Sequence, residues 1–131
     1  MASTSDLKIS PYEMLGADEG VRRLVDRFYC IMDAAPQAQA IRAMHAGDLA
    51  PMRERLFDFM SGWLGGPSRY LQRADAKCIV SAHQPFAIGS AESEQWMYCM
   101  ERALEETGAS AEVRGLLIPA LRRMAGAFRN R

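Results

Sequence analysis

The chain has 131 residues, which suits one domain of ordinary size, and 49% of them are hydrophobic, enough for a packed core. Its 16 Lys and Arg residues balance its 16 Asp and Glu residues. This balance argues against a nucleic-acid partner, which usually selects a basic excess. No apolar run approaches the roughly 20 residues of a membrane-spanning helix, and residues 1–10 form a polar leader without the apolar core of a signal peptide. We therefore expect a single cytoplasmic domain, residues 1–131, with no membrane partner.

Helix-capping and helix-breaking residues divide the first half of the chain into helical segments. Ser10, Pro11 and Glu13 predict the start of a short helix that Gly16 ends. Apolar residues at three- and four-residue steps predict a long amphipathic helix over 18–33, with a buried stripe of Val21, Leu24, Val25, Phe28, Tyr29 and Met32. After Pro36, a short helical turn is expected over 37–44.

The second half continues the helical pattern. Asp48 is the expected cap of a helix that Gly65-Gly66-Pro67 ends and whose stripe is Met52, Leu56, Phe59, Met60 and Trp63. Residues 68–90 show weaker periodicity and predict a loop-rich segment with room for one short helix before His83. Ser90 and Ser110 are the expected caps of two further helices, one reaching Thr107 and one with Pro119 as a kink. Their stripes are Trp96, Cys99, Met100, Ala103 and Leu104, then Val113, Leu117, Leu121, Met124 and Phe128. Without any strand pattern, the fold class is all-α.

The two histidines, His45 and His83, both fall in connecting segments rather than in helical stripes. His83 has apolar neighbours on both sides: Ile79, Val80 and Ala82, then Pro85, Phe86 and Ile88. A neutral imidazole is a good iron ligand, and apolar walls beside it would hold a porphyrin and exclude water. From these residues alone, a partly buried structural histidine is the commoner outcome, so both interpretations stay open.

Four segments in this order carry a family resemblance: Arg27-Phe28-Tyr29, the run 59–67 (FMSGWLGGP), the run 83–88 (HQPFAI) and the run 95–100 (QWMYCM). Together they resemble the bacterial group II truncated haemoglobins of the globin superfamily, from about Tyr12 to residue 131. The resemblance implies a two-over-two α-helical sandwich around haem b. It also implies reversible binding of oxygen, carbon monoxide and nitric oxide.

The resemblance assigns a role to each candidate site residue. His83 matches the proximal ligand of the haem iron, and the other cofactor-binding positions are Leu56, Phe59, Trp63, Tyr70, Phe86 and Ile88. The positions on the distal, ligand-binding side are Tyr29, His45, Met52 and Trp96. Without the resemblance, Tyr29 and Trp96 would be interpreted as core filling, because both lie on apolar stripes.

The distal set has a physical rationale of its own. Oxygen bound in such a site acquires partial negative charge, which the phenol of Tyr29 and the indole N–H of Trp96 would stabilise. Met52 and Leu56 cannot donate a strong hydrogen bond. His45 has two possible roles: it hydrogen-bonds the ligand, directly or through water, or it becomes an internal sixth iron ligand. Tyr29 is a second candidate for that sixth position in the ferric state.

Two features depart from the simplest version of this site. Relatives often carry basic residues just before the proximal histidine to pair with a haem propionate, whereas this chain has Ser81-Ala82. The expected substitutes are Lys77, Arg73 and Arg69. The cysteines, Cys30, Cys78 and Cys99, are expected to be reduced thiols. Cys30 and Cys99 lie near the distal residues, where a thiolate iron ligand is one alternative and a small buried hydrophobic side chain is the other.

The expected function is gas binding, for oxygen storage or transport, by a monomer or homodimer. The enzymatic alternative is nitric oxide dioxygenation or peroxide chemistry, which would need a separate reductase because the sequence has no flavin or nicotinamide motif. A gas sensor is a third possibility. A helical interaction module in which both histidines are structural is the alternative without haem.

Overall fold

The computed structural model describes residues 9–131, so the predicted leader over residues 1–10 falls almost wholly outside the described residues. Seven α-helices are described: α1 (Pro11–Met14), α2 (Ala17–Ala34), α3 (Gln39–Ala43), α4 (Ala50–Trp63), α5 (Ile79–His83), α6 (Ser90–Glu106) and α7 (Ala111–Ala127). Short 3₁₀ turns cover Pro36–Ala38 and Tyr70–Gln72. No strand occurs within residues 9–131, which confirms the all-α prediction.

The four long helices form two pairs. Helix α2 packs against α4, α6 packs against α7, and the contact between α2 and α6 joins the pairs into the two-over-two sandwich that was predicted. The predicted stripe of α2 is buried in full, because this helix is covered by both α4 and α6. Within the described range, no helix is both long enough and apolar enough to cross a membrane.

Most of the predicted helix boundaries are confirmed, and two caps differ. The hydroxyl groups of Ser10 and Ser110 accept backbone N–H bonds at the starts of α1 and α7, as predicted. Ser90 is the first residue of α6 rather than its cap, because the Glu92 carboxylate accepts the Gly89 N–H at 2.8 Å and makes Gly89 the cap. Asp48 lies one residue before the cap of α4, although its carboxylate still accepts the first N–H of that helix at 3.0 Å.

Close backbone approaches require glycine at two positions. A Cβ atom on Gly20 would lie 1.7 Å from the carbonyl oxygen of Leu15, where α1 turns into α2. A Cβ atom on Gly66 would lie 2.5 Å from the ring of Tyr12. Gly65 beside it has a φ of +100°, a left-handed conformation that suits glycine and ends α4. The Gly65-Gly66-Pro67 stop thus also seats α1 against the end of α4.

The apolar stripe of α4 is not completely covered by protein. Met60 is buried, whereas Met52, Leu56 and Phe59 are only half-buried. Trp96 on α6 and Phe128 after α7 are half-buried as well. These side chains converge on a cavity, which explains why a pattern typical of core helices leaves apolar surface uncovered.

Candidate functional site

A cavity of about 680 Å³ lies among α2, α4, α5 and α6 and the segment that follows α3. Its size falls within the range of about 300 to 1,000 Å³ that is usual for sites holding an organic ligand. Most of its wall is apolar, from Ile41, Met44, Met52, Leu56, Phe59, Ile79, Ala82, Phe86, Ile88, Ala125 and Phe128. A few polar side chains interrupt this wall, as expected for a site that orients its ligand.

Ten of the eleven residues predicted for the site line this single cavity: Tyr29, His45, Met52, Leu56, Phe59, Tyr70, His83, Phe86, Ile88 and Trp96. The exception is Trp63, which does not line the cavity. It is the last residue of α4 and packs against the buried core instead. Its assignment to the cofactor-binding set stays a prediction.

His83 is held on two sides of its ring. It is the last residue of α5, and its Nδ1 lies 2.6 Å from the carbonyl oxygen of Ile79. A carbonyl can only accept, so Nδ1 carries a proton, and in the neutral imidazole Nε2 has the lone pair, the arrangement found in metal-ligating histidines. The ring of Phe128 stacks on the imidazole, with 4.2 Å between centroids and 3° between planes. The imidazole is thus fixed with one unused nitrogen.

His45 is held in the same way on another wall. Its Nδ1 lies 2.7 Å from the carbonyl oxygen of Ile41, so Nε2 again keeps its lone pair. Its ring lies 5.9 Å from the ring of Tyr29, edge to face. Burial is the main cause that lowers the pKa of His45; the bond to the Ile41 carbonyl opposes it, and the charge of Arg42 lowers the pKa further. His45 is therefore a neutral imidazole near pH 7.

Tyr29 and Trp96 bring two hydrogen-bond donors to the cavity. They flank Phe28, whose ring centroid lies 5.0 Å from that of Tyr29 and 5.4 Å from that of Trp96. Tyr29 is only 3% exposed, and burial raises the pKa of its phenol above the ordinary value. Within residues 9–131, neither the phenol hydroxyl nor the indole N–H bonds to another residue, and neither atom is fully enclosed. Both donors are therefore available to a molecule in the cavity.

Two of the basic residues predicted to pair with propionates are already paired within the protein. Arg69 forms two bonds to the carboxylate of Asp18, at 2.7 and 2.8 Å. Arg73 bonds Asp58 at 2.6 Å and Asp75 at 3.1 Å, and the second bond is the main reason that the pKa of Asp75 lies below its usual value. Neither arginine lines the cavity.

Lys77 does line the cavity, and it forms no ion pair with any residue between 9 and 131. Tyr70 positions this part of the wall, because its hydroxyl donates to the Lys77 carbonyl at 2.9 Å. Arg55 also lines the cavity, in an ion pair with Asp75. Sequence reasoning missed Arg55, since no local pattern distinguishes it from the other exposed arginines.

The cysteines lie away from the cavity. Cys99 is buried, and burial raises the pKa of its thiol to about 11. Cys30 is exposed, so the expectation of a buried position for it was wrong. All three cysteines are free thiols, and none lines the cavity. No cysteine thiol therefore faces a molecule held in this cavity.

The sequence also did not indicate how His83 is held. Phe128 was assigned to the core stripe of the last helix. Its contact with His83 joins two residues that are far apart in the sequence, so no local pattern indicates it. Ile79 was noted only as an apolar neighbour of His83, although the four-residue spacing of a short helix is a usable signal for a carbonyl contact.

The family model of the bacterial-like globins matches residues 10–130. The chain belongs to this family. This truncated globin is similar to the group II 2-on-2 haemoglobin of the plant pathogen Agrobacterium tumefaciens, with 34% identity, 99% of this chain and 98% of that chain covered, and a TM-score of 0.89. The cold-adapted truncated haemoglobin of the Antarctic marine bacterium Pseudoalteromonas haloplanktis TAC125 gives 32% identity, with 94% and 99% covered and a TM-score of 0.89.

A third relative is the group 2 truncated hemoglobin YjbI of Bacillus subtilis (strain 168), 29% identical over 112 residues, which are 86% of this chain and 82% of that protein. These likenesses confirm the predicted family and its two-over-two fold. Membership of a globin family implies that this truncated globin binds haem and diatomic gases.

Proposed function

We propose that this truncated globin binds haem b through His83 Nε2 and reversibly binds oxygen, carbon monoxide or nitric oxide beside Tyr29 and Trp96. The observation that carries the proposal is the state of His83: its Nδ1 donates to the Ile79 carbonyl, its Nε2 is unused, and it lies in the wall of a large apolar cavity. Haem, when bound, supplies an iron atom that coordinates a diatomic gas.

The residues around His83 fit such a cofactor. The half-buried stripe of Met52, Leu56 and Phe59 offers a flat apolar wall whose surface the protein itself leaves uncovered. Phe86 and Ile88 add apolar surface on the side of the His83 segment. Burying this surface against a porphyrin would contribute about 25 cal/mol per Å² of apolar area removed from water. The same wall would keep water away from the metal.

The acidic groups of haem need a cation, and Lys77 is the best candidate. It lines the cavity and has no carboxylate partner among the described residues, so pairing would not require an existing ion pair to break. Arg55 is the second candidate, because it reaches the cavity while it pairs with Asp75. An exposed pair of this kind contributes about 0.2 to 1 kcal/mol, so it orients the cofactor more than it holds it.

Tyr29 and Trp96 would act on the gas ligand as hydrogen-bond donors. Both donor atoms lack a partner within the described residues, so donating to a ligand costs no existing protein bond. The packing of both rings on Phe28 holds them in place before a ligand enters. A donor that is already oriented stabilises developing charge without reorganisation.

His45 would either form a hydrogen bond with the gas ligand, directly or through water, or bind the iron as an internal sixth ligand. The bond from Nδ1 to Ile41 leaves Nε2 without a proton, so direct donation would require protonation or a change of tautomer. The lone pair on Nε2 instead favours ligation or a water-mediated contact. A ferric spectrum of a purely high-spin, water-bound form across neutral pH would exclude the internal ligand.

The test is an absorption spectrum of the purified wild type, H83A and H45A, each in the ferric, ferrous and carbon monoxide-bound forms. We expect the wild type to show the intense haem band and to shift it on adding carbon monoxide, and H83A to lose haem or its imidazole signature. H45A is the matched control, since it removes the other carbonyl-bound imidazole of the cavity. A wild type that folds colourless and refuses added haemin would refute the proposal, as would a normal spectrum of H83A.

A further inference from the structure

The segment that follows His83 has little packing of its own. Residues 84–89, the 84–89 loop, join α5 to α6, and the side chains of residues 84–87 are exposed. The backbone hydrogen bonds that this loop forms with adjacent residues are limited to turns, such as the one from the N–H of Phe86 to the His83 carbonyl at 3.1 Å. A loop of this kind would leave the end of α5, and His83 with it, free to reorient.

Residues from beyond α7 hold this loop in place. The side chain of Asn130 accepts the N–H of Ile88 at 2.9 Å and donates to the carbonyl of Phe86 at 2.8 Å. The backbone N–H groups of Asn130 and Arg131 both donate to the carbonyl of Ile88, at 2.8 and 3.1 Å. One asparagine thus takes part in three of the four bonds, and its side-chain bonds join residues 42 and 44 positions apart.

The same segment contacts the imidazole directly. Phe128 stacks on His83 with nearly parallel planes, while the Ile79 carbonyl binds Nδ1 at the ring edge. The hydrogen bond opposes rotation of the ring in one direction, and the stacked ring opposes tilting in the other. Groups behind a metal-bound histidine that orient its ring affect the strength of the metal bond.

We propose that residues 128–131, the post-α7 segment, position the His83 imidazole and thereby set the strength of the bond that it makes to haem iron. Phe128 and Asn130 are positioning residues: the first holds the ring, and the second holds the loop that follows it. The inference rests on the proposed function, because it requires His83 to be the iron ligand. When either contact is removed, the ring samples orientations that turn Nε2 away, and the bond weakens on average.

The test measures the iron–histidine stretching band of the ferrous, ligand-free holoprotein by resonance Raman spectroscopy, for the wild type, N130A and F128L. We expect both variants to move the band to lower frequency and to broaden it. We also expect both to transfer haem to an excess of apomyoglobin about 10-fold faster than the wild type. F128L keeps an apolar side chain, so a shift in F128L reports the loss of the stacked ring.

Two further variants serve as controls. R129A alters the same segment at an exposed side chain that bonds to no other residue within 9–131, so its band should match that of the wild type. N130D keeps the acceptor for the Ile88 N–H and loses the donor to the Phe86 carbonyl, so its band should lie between those of N130A and the wild type.

The outcomes separate this inference from the proposed function. If N130A and F128L lower the thermal unfolding midpoint but leave the band where the wild type has it, the segment is merely structural and the inference is overturned. In that case the wild-type band, lost in H83A, still supports the proposed function. A wild type without any iron–histidine band would overturn both.

Discussion

Removing the hydroxyl of Tyr29 isolates one donor in the cavity with little structural side effect. In Y29F the ring keeps its contacts with Phe28 and His45, and no protein hydrogen bond is lost, because the hydroxyl has no partner within residues 9–131. We therefore expect the free energy of unfolding of the gas-free protein to change by less than about 0.5 kcal/mol.

The effect on the gas ligand is expected to be much larger. A hydrogen bond from a buried phenol to a partly charged acceptor contributes about 1.5 to 3 kcal/mol. Its loss in Y29F corresponds to an oxygen dissociation rate about 10- to 150-fold faster than that of the wild type. Carbon monoxide carries less charge, so its dissociation rate should change less. The indole N–H of Trp96 remains in the variant, which favours the lower part of this range.

Stopped-flow displacement of oxygen by excess carbon monoxide gives the dissociation rate directly. Y98F is the matched control, because Tyr98 is a half-buried tyrosine of α6 that does not line the cavity. It removes a hydroxyl elsewhere and should release oxygen at the wild-type rate. If Y29F releases oxygen as slowly as Y98F, the proposed role of Tyr29 is wrong, whatever the stability of the variant.

Two further predictions test the electrostatics of the cavity and the packing of α2. Burial raises the pKa of the Tyr29 phenol, so the phenol stays protonated even at its ordinary pKa of about 10. The oxygen dissociation rate, relative to that of Y29F at each pH, should therefore stay constant from about pH 7 to about pH 10. A rise that Y29F does not share would contradict this. A Cβ atom on Gly20 would collide with the Leu15 carbonyl, whereas one on Gly115 would meet nothing within 4 Å, so urea unfolding should show G20A destabilised by about 3 kcal/mol and G115A stabilised by up to about 1 kcal/mol. Changes of the same sign in both variants would be incompatible with this packing.

The long helices were predictable because their patterns reflect local rules. The stripe of α2 repeats at three- and four-residue steps, and covering by α4 and α6 buries every predicted position. Capping hydroxyls at Ser10 and Ser110 act over three residues and were predicted for the same reason. Ser90 was misplaced because Glu92, two residues later, supplies a stronger acceptor to the residue before it.

The site was predictable in part, and what the prediction could not resolve has a physical cause. Periodicity places Met52, Leu56, Phe59 and Trp63 on one stripe, but it cannot distinguish a turn that faces a cavity from one that faces the core. Only the structure shows that the other three line the cavity whereas Trp63 does not.

Residues that depend on distant contacts were not accessible to pattern reasoning. Arg55 reaches the cavity beside Asp75, which lies 20 positions further along the chain. Phe128 contacts His83, although α6 and α7 separate the two residues along the sequence. In contrast, the resemblance was enough to bring His83, Tyr29 and Trp96 together in one site, and all three line the cavity, because their spacing belongs to a whole motif rather than to a local rule.

Because the stripe of α4 is not completely covered, the stability of the folded protein would depend on the concentration of haem. Met52, Leu56 and Phe59 are only half-buried, and under the proposed function a bound porphyrin would complete their packing. A ligand that binds only the folded state adds about 2.7 kcal/mol of stability when its free concentration is 100 times its Kd. Without haem, that stabilisation would be lost and the apolar stripe of α4 would remain accessible to other chains. Newly made protein would therefore be most prone to aggregation and proteolysis before it binds its cofactor.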